Sequence, residues 1–379
     1  MNKQQQILFY INNIPPDYGG GYLRTFKMAA RFKEKNLLAG IITLTKKEQY
    51  IKTKNIIPAD DILFLKTKLF IVIELFVFLF TKRKSFDVIY IVSSHWHTFF
   101  AVFLCKILYK KVIVGITLSG IDSPDSKSSN FFINIYYKIK NTQFRLANKI
   151  IMNSPAVYKE CINHGIGIEK LKLILNPVDT EKFKKIKEKV LINDLKDKFG
   201  IYNDNPIMIF VGSINRRKGV DLFPEILSKL SKQISIEVNF IMCGDLENDF
   251  SRKILNDIKM ICKDSMIKFS FLGEINNINE LMSVSEIFLL PTRNEGLPNV
   301  IIEAMSSSCI IFTNLLEDIT DFLLPSEFIM LDNNINSYVK SISEVLHFPN
   351  IHEKTIIANR QRVLDDFNFE KIDNLFLEI

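Results

Sequence analysis

The chain has 379 residues, 47% of them hydrophobic, which suits two packed domains of ordinary size. Its formal net charge of +7 is unevenly spread, with 26 Lys+Arg against 12 Asp+Glu in residues 1–180 and 23 against 30 in residues 181–379. Five scattered cysteines without a C-x-x-C pair exclude a disulfide framework and argue for buried thiols in a reducing compartment, and no basic motif interleaved with aromatics marks a nucleic-acid partner.

The opening MNKQQQILFY carries no secretory signal and leads into a first core strand, Ile7–Ile11. Gly19-Gly20-Gly21 then precede a helical pattern over Tyr22–Lys35. Three glycines at a helix start can form a backbone concavity for an anion, or simply a flexible loop. They match neither the G-x-G-x-x-G spacing nor a P-loop. Further strands are predicted at Gly40–Thr43, Val88–Val92, Val112–Thr117 and Lys149–Met152, with a helix over Thr98–Leu108. Leu69–Phe80 is apolar but too short to span a bilayer, so a buried helix is expected, with a membrane-dipping one as the alternative. His95 and His97 flank Trp96 just beyond Val88–Val92, where a ligand contact and plain packing are both open, and His97 is preferred for the contact. The clusters Lys46-Lys47, Lys82-Arg83-Lys84 and Lys110-Lys111 read as solvated surface. The basic total of this half fits an anionic partner.

A charged run over Phe183–Lys198 precedes a fresh strand at Ile207–Val211. We place the domain boundary ahead of it. Residues 1–180 and 181–361 are then two domains, with a last helix at 362–379. Strands follow at Val238–Met242, Lys268–Phe271, Ile287–Leu290 and Ile310–Phe312. Strands alternating with helices imply parallel sheets, and such sheets bind ligands beyond the carboxyl ends of their strands. Two segments lie there. In FVGSINRRKGVD a strand ends at Gly212, and Arg216, Arg217 and Lys218 offer cations for a diphosphate. In PTRNEGLPNVIIEAMS, Glu295 and Glu303 bracket a loop, Gly296-Leu297-Pro298-Asn299, that runs into a helix. Proline favours the first helical position. Free N–H groups at Asn299 and Val300 would face an anion, and Glu303 could accept from the diol of a ribose. Acidic residues also favour a first helical turn for dipole reasons alone.

In order along the chain, these segments resemble the retaining, nucleotide-sugar-dependent glycosyltransferases of the GT-B fold, family 4. The resemblance runs through the PP…GGG loop, SSHWHTFFAVFLCKILYKKVIVGITLSGIDSP, the turn Asn176-Pro177-Val178-Asp179, the G-x5-K-G segment and the E-x7-E pair. It implies two doubly wound Rossmann-like domains facing a central cleft, residues 1–180 binding the acceptor and 181–361 the donor, with the helix 362–379 packing back on the first. It also implies that Lys218 holds the donor diphosphate with Arg216 or Arg217, that Glu303 binds the ribose, and that Glu295 contacts the transferred sugar. Gly212 would lie under the diphosphate, Gly20 and Gly21 would close on it, and Gly296 to Val300 would hold sugar and phosphate through their backbone. Gly273 and Glu274 would lie beside the base, and His97 would touch the sugar or the acceptor. Three departures stand out: Ser213 replaces a frequent arginine, Ser119 falls where a threonine-histidine-glycine segment is frequent, and Asn314-Leu315-Leu316-Glu317 replaces a glycine-rich turn.

The implied reaction moves a sugar from a nucleoside diphosphate, expected to be UDP, to a hydroxyl of a glycan or lipid-linked glycan in bacterial surface polysaccharide assembly. Cations and a helix start would stabilise the leaving group. No Asp-x-Asp motif occurs, so no obligatory metal or other cofactor is expected. Same-face attack by the acceptor hydroxyl, with the departing phosphate as base, is the expected route. The expected location is cytoplasmic, at the inner face of an anionic membrane. A sugar-nucleotide 2-epimerase of related fold and a non-catalytic binding protein are the rival readings.

Overall fold

A computed structural model describes residues 5–15, 20–51, 57–65, 70–92, 94–116, 131–246, 248–293, 295, 299–315, 329–331 and 334–379. The chain divides into two compact units, one running to Leu175 and taking in Leu375–Ile379, the other spanning Asn176–Asn374.

The first unit runs β1 (Ile7–Ile11), α1 (Gly20–Glu34), β2 (Leu38–Thr43), α2 (Lys47–Ile51), β3 (Ile62–Phe64), α3 (Ile71–Thr81), β4 (Val88–Val92), α4 (Trp96–Ile107), β5 (Lys111–Ile116), α5 (Phe131–Leu146), β6 (Lys149–Met152), α6 (Pro155–Asn163) and β7 (Leu171–Leu173). Its sheet has the order β3-β2-β1-β4-β5-β6-β7. Every pairing is parallel, with Ile7–Ile11 in register against Val88–Val92. The strand order reverses between β1 and β4. Strands covered on both faces need continuous apolar sequence, and ILFYI and VIYIV are buried at every position. The core also takes in Leu75 and Leu79 of α3 and Ala101, Val102 and Cys105 of α4.

The second unit runs α7 (Lys189–Lys198), β8 (Ile207–Val211), α8 (Phe223–Leu230), β9 (Val238–Cys243), α9 (Asp249–Cys262), β10 (Ile267–Gly273), α10 (Ile278–Val284), β11 (Ile287–Leu290), α11 (Asn299–Ser306), β12 (Ile310–Asn314), β13 (Ile329–Leu331), α12 (Ile335–His347), α13 (Glu353–Asp366) and α14 (Phe369–Leu377). Its parallel sheet has the order β10-β9-β8-β11-β12-β13 and reverses between β8 and β11. All five cysteines are buried as free thiols.

Three features differ from a reading of the pattern. First, α3 is not a buried helix: only Ile71, Leu75 and Leu79 are buried, and its other apolar stripe faces outward. Hydropathy reports how apolar a helix is, not how many of its faces have partners. Second, the carboxyl-terminal segment is two helices. Arg360 of α13 ties that helix to the second unit by donating to the carbonyls of Thr180, Phe183 and Ser306. Only Leu375–Ile379 lies in the first unit, where Phe376 packs edge-on against Phe32 and Tyr90 and Lys111 donates to the Ile379 carbonyl. Third, Lys110 is not simply solvated, because its ammonium donates to the Phe86 carbonyl at 2.7 Å and lies 5.2 Å from that ring's centre.

Candidate functional site

The carboxyl ends of β8 and β11 flank the reversal of the second sheet, which is where doubly wound folds open a crevice. The segment after β8 is shaped by glycine. Gly212 has φ +152°, and a Cβ there would lie 3.5 Å from the Lys218 side chain. Asn215 then caps a short 3-10 turn, Arg216–Lys218, by accepting from the Lys218 N–H at 3.1 Å. Gly219 follows in the left-handed region (φ +72°), and any Cβ at this position would stand 1.7 Å from the Pro291 carbonyl oxygen. Only glycine lets this turn lie so close to the end of β11. That approach is sealed by the Arg293 N–H donating to the Arg217 carbonyl at 2.8 Å, with the Thr292 hydroxyl 3.1 Å from the same carbonyl.

This pairing brings Lys218 and Glu295 together. The Lys218 ammonium donates to Glu295 Oε1, and the same oxygen accepts from Arg217 Nη1 at 3.0 Å; Thr292 Oγ1 also lies 3.0 Å away, its one proton serving either this oxygen or the Arg217 carbonyl. Lys218 and Glu295 are 12% and 9% exposed, whereas Arg217 is 51% exposed. Burial holds the Lys218 pKa below the usual lysine value, while the Glu295 carboxylate opposes that shift and Arg217 adds to it. Two cations therefore share one buried carboxylate oxygen at a strand end, with water reaching them from the Arg217 side.

The two arginines ahead of Lys218 diverge. Arg216 lies over the Phe250 ring at 5.1 Å, while Arg217 turns toward Glu295. Arg293 braces the turn from outside, bonding the Asp221 carboxylate through both terminal nitrogens at 2.6 and 2.8 Å and the Arg216 carbonyl at 2.5 Å. Thr292, Arg293 and Asp221 were not singled out from the sequence. Asp221 and Arg293 are far apart in the chain, and no spacing announces their meeting. Gly244 was missed as well. With φ +147°, it packs where a Cβ would be 1.9 Å from the Gly212 carbonyl oxygen, and its N–H donates to the Gly273 carbonyl at 2.9 Å. Three neighbouring strand ends thus carry Gly212, Gly244 and Gly273, a signal visible only once the strand order is known.

Asn299 and Val300 open α11, and the Asn299 side-chain oxygen accepts from the Asn176 amide. Glu303 is half-buried in the second turn of that helix. Gly273 ends β10 with open space at its Cα, and Glu274 beside it is exposed. Gly296, Leu297 and Pro298 lie outside the described residues, as does Ser119.

Gly20, Gly21 and His97 belong to the first unit, at the corresponding reversal between β1 and β4. Gly20 and Gly21 open α1, and the Gly21 carbonyl accepts from Thr25 Oγ1 at 3.1 Å. His97 sits in the first turn of α4, where a capping box between His95 and Thr98 fixes the helix start. Its Nδ1 lies 2.8 Å from the Tyr10 hydroxyl, and its ring stacks on that of His95. Burial, helped by His95, pushes the His97 pKa down to about 4, so the ring is neutral at pH 7. Burial also raises the Tyr10 hydroxyl well above its usual range, which keeps that proton in place.

Two parallel Rossmann-like units in tandem, with glycines beside each reversal and cations beside the second, define the GT-B class of α/β fold. Residues 192–362 match the family described as glycosyl transferases group 1. Among solved structures, a glycosyltransferase from Rickettsia africae superposes with TM-score 0.79 at 16% identity, covering 99% of this chain and 97% of that one. The Anabaena protein Alr3699/HepE in complex with UDP and glucose superposes with TM-score 0.75 at 18% identity, covering 99% and 98%. Among curated relatives, the chain is 25% identical to the capsular polysaccharide biosynthesis glycosyltransferase CapH of Staphylococcus aureus, over 62% of each protein. It is 27% identical to the UDP-Gal:alpha-D-GlcNAc-diphosphoundecaprenol alpha-1,3-galactosyltransferase of Escherichia coli, over 55% of this chain and 54% of that protein. The matched region thus spans less than two thirds of either relative.

Proposed function

We propose that the chain is a retaining glycosyltransferase that moves a sugar from a UDP-sugar to a hydroxyl of a lipid-linked glycan in surface polysaccharide assembly. The observation that carries this reading is the convergence of Lys218 and Arg217 on Glu295 at the reversal of the second sheet. A diphosphate presents several anionic oxygens to such a pair, and Arg217 can grip them through two parallel bonds while Lys218 acts as a point charge. Arg217, rather than Arg216, is assigned as the second cation, because Arg216 is directed to Phe250. As the sugar–phosphate bond breaks, negative charge grows on the diphosphate, and preorganised cations in a partly dry site stabilise that charge more than the ground state. Glu295, released from Arg217 and Lys218 by the incoming phosphate, would accept from the transferred sugar's hydroxyls, and Glu303 from the ribose. Gly273 leaves room for the ligand to approach backbone, while Gly244 lets the end of β9 close on Gly212. His97, neutral and anchored to Tyr10, would offer its Nε2 to the donor or acceptor.

The acceptor hydroxyl attacks the face from which the diphosphate leaves, and its proton passes to the departing phosphate. A UDP donor accords with the UDP carried by Alr3699/HepE, and a lipid-linked acceptor with the diphosphoundecaprenol in the Escherichia coli relative's name. Calorimetric titration of UDP, GDP and ADP tests the reading. UDP is expected to bind the wild type and to be lost in Lys218→Ala. Equal binding of UDP by the variant, or none by the wild type, would overturn it.

A further inference from the structure

The most apolar helix of the chain is only half covered. Along α3, Ile71, Leu75 and Leu79 face the core, while Ile73, Phe76, Val77 and Phe80 form a second stripe at the same helical spacing. That second stripe continues onto α4 through Phe103 and Ile107, and these six side chains are between 46% and 59% exposed. Between the helices lies a groove of about 370 Å³ whose lining, including Val72, Phe99 and Phe100, is wholly apolar. A helix that is apolar all round belongs in a medium that is apolar on all sides. Water is a poor partner for a contiguous surface of this kind.

Charge says what covers it. Immediately after α3 come Lys82, Arg83 and Lys84. The Arg83 guanidinium lies 4.4 Å over the Phe80 ring, and its Nη1 donates to the Phe80 carbonyl at 2.7 Å, so the cationic rim is fastened to the end of the apolar stripe. Lys106 adds a cation on α4, and Glu74 is the sole acidic residue in either helix. A second copy of the chain joined through this face by a two-fold axis would bring both Lys82-Arg83-Lys84 rims into one interface. Anionic headgroups neutralise the same rim. The eleven residues of α3 amount to about 16 Å of helix, too short to cross a bilayer but long enough to lie along its surface.

We propose that the α3–α4 face is a membrane-docking surface: Ile73, Phe76, Val77, Phe80 and Phe103 enter the acyl boundary of an anionic bilayer, and Lys82, Arg83 and Lys84 sit among its phosphates. This extends the lipid-linked acceptor reading, and its test does not depend on that reading. The full chain is sedimented with vesicles of phosphatidylcholine alone and of phosphatidylcholine with phosphatidylglycerol. Wild type is expected to bind the anionic vesicles, more weakly as salt is added. Phe76→Ser/Val77→Ser changes exposed positions and is expected to lower binding at least tenfold. Lys82→Ser/Lys84→Ser is expected to lower binding to anionic vesicles by roughly fivefold per charge and to erase the preference for them. UDP affinity, measured on the same preparations, reports separately on the donor site, so loss of vesicle binding with unchanged UDP affinity localises the effect to this face. Wild-type-like vesicle binding by Phe76→Ser/Val77→Ser overturns the proposal. So does a wild type that ignores vesicles but forms a dimer which that variant dissolves.

Discussion

Replacing Glu295 with glutamine keeps the shape of the site and removes the carboxylate that the Lys218 ammonium meets. Lys218 is nearly buried, and its pKa is already held down by that burial, with Glu295 as the opposing influence. Removing one partner of a buried pair costs about 3–5 kcal/mol, whereas a half-exposed pair such as Arg217–Glu295 adds no more than about 1 kcal/mol. Lys218 retains a little solvent contact, and the glutamine oxygen can still accept from it, so the lower figure, about 3 kcal/mol, is expected. For a unit of this size that corresponds to a fall in melting temperature of roughly 6–12 °C. The sign with pH follows from the lysine. Without Glu295 its folded pKa drops further below the unfolded value, so the unfolded chain binds more protons between the two. Stability therefore rises with pH across that window, and the deficit of Glu295→Gln should shrink as the solution is made alkaline. UDP should act in the same direction. In the wild type the diphosphate competes with Glu295 for both cations, whereas in the variant it does not. UDP should bind Glu295→Gln more tightly and, at a hundredfold excess over its dissociation constant, restore about 2.7 kcal/mol, while sugar transfer is lost. Thermal melts with and without UDP at neutral and alkaline pH, together with calorimetry, decide the matter. An unchanged melting temperature, or weaker UDP binding in Glu295→Gln, would refute the argument.

Gly219→Ala combines a left-handed backbone with a Cβ on top of the Pro291 carbonyl and should cost about 2–4 kcal/mol. Gly200→Ala has nearly the same φ but open space around it, so it should cost about 1 kcal/mol; equal urea midpoints for the two would remove the close-approach explanation. His97 titrates near 4 when folded against 6.5 when unfolded, so its contribution is complete above about pH 6.5 and is lost as pH falls through that window. Between pH 7 and 5 this amounts to about 2 kcal/mol, and His97→Gln should flatten the profile of unfolding free energy over that range. Arg293→Ala breaks an exposed ion pair with Asp221 and should cost about 0.2–1 kcal/mol of stability while weakening UDP by less than about fivefold, far less than Lys218→Ala does.

Much of the strand pattern was legible because both sheets are buried on two faces. Ile7–Ile11, Val88–Val92, Ile207–Val211 and Ile287–Leu290 are continuous apolar runs whose ends coincide with the observed strands. The three strands without a prediction, β3, β7 and β13, are edge strands of three residues each, too brief for a period to show. Lys218 and Glu295 were legible as candidates because each follows a strand. Their shared contact depends on β8 lying next to β11, a fact of sheet order that chain spacing does not carry. The Arg293–Asp221 brace and the Gly244–Gly212 contact are invisible for the same reason. The outward stripe of α3 was hidden for another: the sequence shows that all its faces are apolar, but which face finds a partner is decided by α4 and the sheet.

The packing of Phe376 against Phe32 and Tyr90 also bears on the order in which the chain can be made. The first unit's sheet is complete once β7 has been synthesised, yet the residues that close over Phe32 and Tyr90 lie beyond Leu375. About 200 residues separate Leu175 from Leu375, so at about 5–20 residues per second the nascent first unit waits roughly 10–40 s with those rings uncovered. Side chains made about 200 residues later thus finish the unit that began to fold first. A ribosome stalled within the second unit would hold a first unit with an apolar opening that a chaperone can recognise.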